Sequence, residues 1–202
     1  LIGHELEVLH RTGLGDVITE LMGSGIEIRR RPGPPCRGSV ENIKTSGKII
    51  FSVILYPRTM FTPDMLKSYS REAEESFNKL YHGFVEEPSI ENFFEVSKAF
   101  SERIGFLTKE LDESLRILLK KYISSGDVIG YFAKKALIII AHNKDLGIDP
   151  LEIRRIFKTE EIITMEFLEE PILQSVDRDI CNEVVSEYIA ARKQDLVSSA
   201  SQ

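Results

Sequence analysis

The 202-residue sequence has no apolar run long enough to cross a membrane. Its longest candidates, residues 49–56 and 136–141, are strand-sized, against roughly 18 residues for a spanning helix. No signal-peptide pattern opens it. Cysteine is scarce: Cys36 and Cys181 lie far apart and fit no metal-ligand spacing, so a reduced, cytoplasmic setting is expected. An excess of positive charge is also lacking. Lys and Arg number 26 against 32 Asp and Glu, for a net charge of -6, and basic residues cluster only at Arg29, Arg30 and Arg31. A nucleic-acid partner, which requires a basic stripe, is therefore excluded. There is no internal repeat and no low-complexity segment. The sequence does not begin with Met, and it opens within helical apolar spacing (Leu1, Ile2, Leu6, Val8, Leu9). Further sequence is expected to precede it.

What is present is a 42% hydrophobic composition, enough for one substantial core or two small ones. After the opening helix, Thr12-Gly13-Leu14-Gly15 interrupts the pattern and Asp16 is placed to cap a short helix through Met22. Gly23-Ser24-Gly25 stops that helix, and Ile26–Arg29 alternates as a half-buried strand. The loop Arg31-Pro32-Gly33-Pro34-Pro35 cannot join a central strand. Lys48–Tyr56 reads as a buried strand. Thr62-Pro63-Asp64 starts a helix to about His82, followed by helices over Ser89–Gly105 and Thr108–Ile123. Val128–Ala133 and Ala136–His142 form a hairpin around Lys134-Lys135. Asp149-Pro150 starts a helix to about Lys158, Ile162–Leu168 is a last strand, and Arg178–Val197 is an amphipathic helix.

From Lys48 the order strand, three helices, two strands, helix, strand predicts an α+β domain. It is close to ferredoxin-like, with an enlarged first crossover, an antiparallel sheet and helices on one face.

One segment carries a resemblance. Gly3-His4-Glu5-Leu6-Glu7-Val8-Leu9-His10-Arg11-Thr12-Gly13-Leu14-Gly15-Asp16-Val17 resembles the archaeal pantoate kinase pattern A-H-x-A-E-V followed by G-L-G-D-V. The match continues in register through Gly25-Ile26-Glu27-Ile28-Arg29, Arg31-Pro32-Gly33, Pro35, Gly38 and Val40-Glu41-Asn42-Ile43. These enzymes belong to the GHMP kinase superfamily. The resemblance implies that residues 1–46 are the later part of a GHMP N-terminal domain, 47–170 a GHMP C-terminal domain, and 171–202 a C-terminal helix and tail. It also implies a glycine-rich phosphate loop of the form P-x-x-G-L-G-S-S-A-A, ahead of a helix whose dipole favours phosphates. No such loop occurs in these residues. A fragment that is inactive alone is the expectation.

GHMP kinases move the γ-phosphoryl of ATP to a substrate hydroxyl, where positioning and charge neutralisation dominate. The resemblance makes Asp16 the catalytic carboxylate, although spacing alone favours a helix cap. Gly13 and Gly15 would allow close substrate approach, or simply shape a turn. Pantoate carries a carboxylate, so its pocket needs a cation. Arg11 is the first choice, since guanidinium binds carboxylate in a bidentate way; Arg29, Arg31 and Arg58 follow, each with a solvated face as the plainer reading. Glu5 or Glu7 could assist the Mg²⁺ of ATP. His4 and His10 do not share a helix face and make a poor metal pair. Ser124, Ser125 and Gly126, followed by Asp127, stand where the family encloses its nucleotide, or make an ordinary turn. The expected ligands are ATP, Mg²⁺ and pantoate, with no membrane partner and with the choice between monomer and homodimer open. The alternatives are a GHMP kinase for mevalonate, homoserine or a sugar, or a non-catalytic interaction module.

Overall fold

The computed structural model describes residues 6, 9–10, 16–34, 36–45, 48–56, 71–145, 149–159, 162–167, 170–172, 179, 182–183 and 186–187. By compactness the chain divides into two units, Leu1–Asn42 with Glu170–Gln202, and Ile43–Glu169.

In the first unit α1 spans Asp16–Met22, β1 Ile26–Arg31, and β2 Ser39–Ile43 ends at the unit boundary. A seven-residue helix is too short to persist by itself in water, so packing must hold it. Ile18 is fully buried, and Gly38 approaches it closely: a Cβ at Gly38 would lie 2.6 Å from Ile18 Cδ1 and 2.6 Å from the Gly33 carbonyl oxygen. The Arg31-Pro32-Gly33-Pro34 loop closes through Arg37 N–H and Gly38 N–H, both donating to Pro34 O at 2.8 and 2.7 Å. Strand β2 was absent from the sequence reading. Its exposed, partly polar run Ser39-Val40-Glu41-Asn42-Ile43 carries too little apolar alternation to announce a strand. It pairs with β1, and Arg30 Nε meets Glu41 Oε2 at 2.6 Å.

In the second unit β3 (Ile49–Leu55), β4 (Val128–Lys134), β5 (Leu137–Asn143) and β6 (Ile162–Glu166) form one sheet in the order β4-β5-β3-β6. Every neighbouring pair is antiparallel. The helices are α2 (Arg71–Glu86), α3 (Ile90–Arg103), α4 (Lys109–Ser124) and α5 (Pro150–Phe157). The first strand in sequence thus lies beside the last and the third, with the second at the edge, which is the ferredoxin-like order.

The expectation of helices on one face is corrected. Residues 50, 52 and 54 of β3 and 138, 140 and 142 of β5 share one face, by alternation and register. Ile54, Ile138 and Ile140 pack there with Leu111, Leu115 and Leu119 of α4 and Ile153 and Phe157 of α5. On the opposite face Ile49, Phe51 and Ala141 pack against Phe93 and Phe94 of α3. Helix α2 sits on α3 through Phe77–Phe100 and Phe84–Phe93 ring contacts at 5.2 and 5.9 Å. The enlarged crossover therefore divides, with α4 on the usual helical face and the α2–α3 pair covering the other. The reason is visible in Ile49-Ile50-Phe51-Ser52-Val53-Ile54: a continuous apolar strand needs cover on both faces. Gly130 of β4 permits this layer, since a Cβ there would lie 2.6 Å from Phe94 Cβ.

Helix starts follow the sequence. Ser89, Thr108 and Asp149 are N-caps whose side chains accept from Asn92, Leu111 and Leu151 N–H, and Lys158 closes α5 in a left-handed conformation with φ 52°. The helix start at Thr62 lies outside the described residues, as does most of Arg178–Val197. Among the described residues no helix is long and apolar enough to cross a membrane. Cys36, expected as a thiol, is disulfide-bonded; separation in sequence places no limit on proximity in space. Its partner lies outside the described residues.

Candidate active site

Asp16 is the first residue of α1 and is exposed. The amide groups of that first turn carry partial positive charge, which favours a carboxylate there. Its carbonyl oxygen accepts from the Thr19 hydroxyl at 3.0 Å. The other end of the helix is clamped from β2: Asn42 Nδ2 donates to Met22 O at 2.9 Å, and Asn42 Oδ1 accepts from Ser24 N–H at 3.2 Å. One side chain thus satisfies a helix-end carbonyl and the amide just beyond it. Asn42 belongs to the segment that resembles the family, and the clamp gives that position a physical task.

A second carboxylate near α1 escaped the sequence reading. Glu27 projects from the exposed side of β1, yet its carboxylate folds back over Gly23, where a Cβ would lie 1.9 Å from Oε1. Desolvation by that contact raises its pKa above the ordinary carboxylate value. Gly23 N–H is already bonded to Thr19 O at 2.8 Å, so it brings no second donor to Glu27. Asp16 and the Gly23–Glu27 contact mark opposite ends of α1, separated by a rise of about 9 Å. No sequence spacing would have singled out Glu27, because its perturbation comes from a fold-back across a turn.

Arg29 and Arg31 are exposed on β1, while Arg30 is engaged with Glu41. Arg11, Gly13, Gly15 and Glu5 lie outside the described residues, with His4, Glu7 and Arg58. His10 is exposed on a helical turn.

Ser124, Ser125 and Gly126 close α4 in the second unit. Ser124 Oγ donates to Lys120 O at 2.9 Å and Ser125 Oγ to Tyr122 O at 3.1 Å. Ser125 also bonds Asp127. Gly126, at φ 78°, donates to Ile123 O. Asp127 in turn receives Asn143 N–H on its carbonyl at 2.9 Å, tying the turn to β5. The hydroxyls are spent on helix-end carbonyls, and the partial negative charge of a helix C-terminus gives the turn no anion-attracting dipole, so an anion near it depends on cationic side chains.

The second unit holds another pair that sequence did not single out. Ser52 Oγ and His142 Nε2 are 2.9 Å apart on neighbouring strands, and His142 Nδ1 lies 2.9 Å from Asn143 O. A carbonyl only accepts, so Nδ1 donates to Asn143 O, while Nε2 shares a hydrogen bond with the serine hydroxyl. His142 is 2% exposed and Ser52 7%. This pair satisfies polar groups inside the core; it does not present a nucleophile.

Among the described residues no group of three His, Cys, Asp or Glu could hold a metal ion.

The chain is similar to two curated pantoate kinases. One, from Thermococcus kodakarensis, is 34% identical over 125 residues, covering 59% of this chain and 39% of the relative. The other, from Methanospirillum hungatei, is 27% identical over 110 residues, covering 54% of this chain and 35% of the relative. The resemblance expected from residues 3–43 is borne out. The chain spans less than half the length of either relative it matches. A solved structure described as a phosphotransferase related to the CoA biosynthesis pathway superposes with a TM-score of 0.60 and 24% identity. The match covers 84% of this chain and 54% of that one, and it shows a shared fold. No family model matches the chain.

Proposed function

We propose that this chain is part of a GHMP-type kinase that phosphorylates pantoate to 4-phosphopantoate, using ATP, for coenzyme A synthesis. The observation that carries this reading is the 34% identity over 125 residues to a pantoate kinase. The fold shared with a CoA-related phosphotransferase supports it. In this reading Leu1–Asn42 contributes to the catalytic domain and Ile43–Glu169 is the C-terminal domain of the GHMP arrangement.

The reaction joins the pantoate hydroxyl oxygen to the γ-phosphorus and breaks that phosphorus's bond to ADP. The hydroxyl proton passes to a carboxylate, and Asp16 is the residue assigned to receive it and to orient the oxygen. Its exposure at the first turn of a packed helix leaves it accessible to a ligand. Arg11 is assigned to the pantoate carboxylate, and Gly13 and Gly15 to close approach of the substrate. Glu5 is assigned to assist the Mg²⁺ that accompanies ATP. The Ser124–Gly126 turn is kept only as a wall for the nucleotide, since its hydroxyls are committed to backbone carbonyls. These 202 residues include no glycine-rich phosphate loop, so the ATP phosphates would be held by other sequence.

The test is an ATP-consumption assay of the chain alone, and of the chain fused behind the N-terminal segment of the Thermococcus kodakarensis enzyme. Pantoate, mevalonate and homoserine are offered in turn. Turnover by the fusion with pantoate alone is expected, and none by the isolated chain. Preference for mevalonate or homoserine would move the reading to another GHMP kinase. Robust turnover by the isolated chain would overturn the need for a separate phosphate loop.

A further inference from the structure

Some cations of the second unit are engaged. Lys98 pairs with Glu102 and with Asp112, Arg116 with Asp112, and Lys144 with Glu166. A groove between α4 and α5 gathers three others. It encloses about 410 Å³ and is lined on α4 by Lys120, Lys121 and Ser124, and on α5 by Glu152 and Arg155. Lys121 stacks over the Tyr122 ring at 4.5 Å, and the Glu152 charge acts on it. Lys120 and Arg155 have no side-chain ion pair, hydrogen bond or ring contact among the described residues. Three cations and one carboxylate thus line the groove, leaving it net positive in a chain whose net charge is -6.

The rest of the lining is hydrocarbon: Leu118 and Ile156 beneath, and Ile117, 76% exposed, at the rim. Interaction with a helix dipole accounts for a cation near each helix end. It does not account for a branched apolar side chain left in water beside them. A ligand that offsets both features must be anionic at one end and apolar along its body. The volume is of the order of small-ligand sites, roughly 300–1,000 Å³.

We infer that the α4–α5 groove binds a small amphiphilic anion, a phosphate or carboxylate borne on a short hydrocarbon chain. Lys120 and Arg155 hold the anionic head, and Ile117, Leu118 and Ile156 receive the chain. The occupant follows from charge complementarity combined with the exposed apolar rim. The site goes beyond the kinase reading and does not depend on it.

Isothermal titration calorimetry on the full 202-residue chain tests this, with octyl phosphate, octanoate, inorganic phosphate, octanol and ATP as probes. Saturable binding of octyl phosphate or octanoate is expected, which also distinguishes the two head groups, with no measurable binding of inorganic phosphate or octanol. Lys120→Glu and Arg155→Glu should each weaken binding about tenfold or more, and Lys134→Glu on the β4–β5 hairpin should leave it unchanged. Ile117→Ser should weaken octyl phosphate. All four positions are exposed, and circular dichroism checks that each variant is folded; Lys120→Gln and Arg155→Gln replace any that is not. Equal affinity for inorganic and octyl phosphate would overturn the amphiphile. Tighter binding of ATP with the same charge-reversal pattern would reassign the groove to a nucleotide. Unchanged binding in both charge reversals, or no binding at all, would remove the site.

Discussion

The Tyr131 hydroxyl donates to Asp112 Oδ1 at 2.7 Å, joining an edge strand of the sheet to the first turn of α4. Asp112 also receives Lys98 of α3 at 2.8 Å and Arg116 at 2.7 Å, and Lys98 lies 5.2 Å from the centre of the Tyr131 ring. One carboxylate thus ties together α3, α4 and β4, elements that belong to opposite layers of the second unit. Burial alone would raise its pKa. Hydrogen bonds from Lys98 and Tyr131, with the Lys98 charge, outweigh burial and hold it below the ordinary 3.8. Tyr131 is raised by its own burial and by the bond to Asp112.

Asp112→Asn is expected to cost about 2 kcal/mol at pH 6, the scale of lost hydrogen bonds to a charged group. The native carboxyl titrates below 3.8, so its contribution is complete above that pH and is lost as pH falls through the lower native value. Urea unfolding of both proteins from pH 6 to pH 2.5 checks this. The stability gap should narrow only below pH 3.8, and a constant gap would show that the charge is immaterial.

Gly130→Ala should destabilise by about 2 kcal/mol, because a new Cβ meets Phe94 Cβ at 2.6 Å and neither atom can rotate away. Thermal unfolding measures it. A neutral result would mean that α3 shifts freely over β4, and that the second helical layer is less closely seated than described.

Glu27→Gln should behave in the opposite way. Desolvation raises the native pKa of Glu27 above 4.5, so the native state favours the protonated acid and loses stability as pH rises through that raised value. The glutamine variant should therefore be more stable than the parent at pH 7 and equal to it below pH 4.5. Melting curves at pH 4 and pH 7 decide between this and a parent whose Glu27 is stabilising.

Asp16→Asn, in the fusion that carries a phosphate loop, should reduce kcat by about 10²-fold or more while the melting temperature changes little, since asparagine is also favoured at helix starts. Near-full activity would assign Asp16 to the helix terminus alone. An equal loss of melting temperature and activity would do the same.

Much of the second unit was legible in the chain. Ser89, Thr108 and Asp149 announced their helices because an N-cap is a local device, made and satisfied within three residues. The hairpin at Lys134-Lys135 was legible for the same reason, with Lys135 taking the left-handed turn at φ 57°. Strand β2 was not, since Ser39–Ile43 is a strand only because β1 pairs with it. Asp16 was legible as a candidate through the resemblance of its segment to pantoate kinases, its place before a helical run pointing by itself to a cap, whereas Glu27 is marked only by the fold-back of its carboxylate over Gly23.

The sequence by itself determined the helix starts, the strand count of the larger sheet and the resemblance to pantoate kinases, all of which rest on neighbours within a few residues or on pattern in register. Tertiary structure alone decided that α3 and α4 take opposite faces of the sheet, that Asp112 is the common partner of Lys98, Arg116 and Tyr131, and that Lys120 and Arg155 share a groove with Ile117. Each of these joins residues whose separation along the chain carries no information about their distance. Burial, charge and packing act on distance alone.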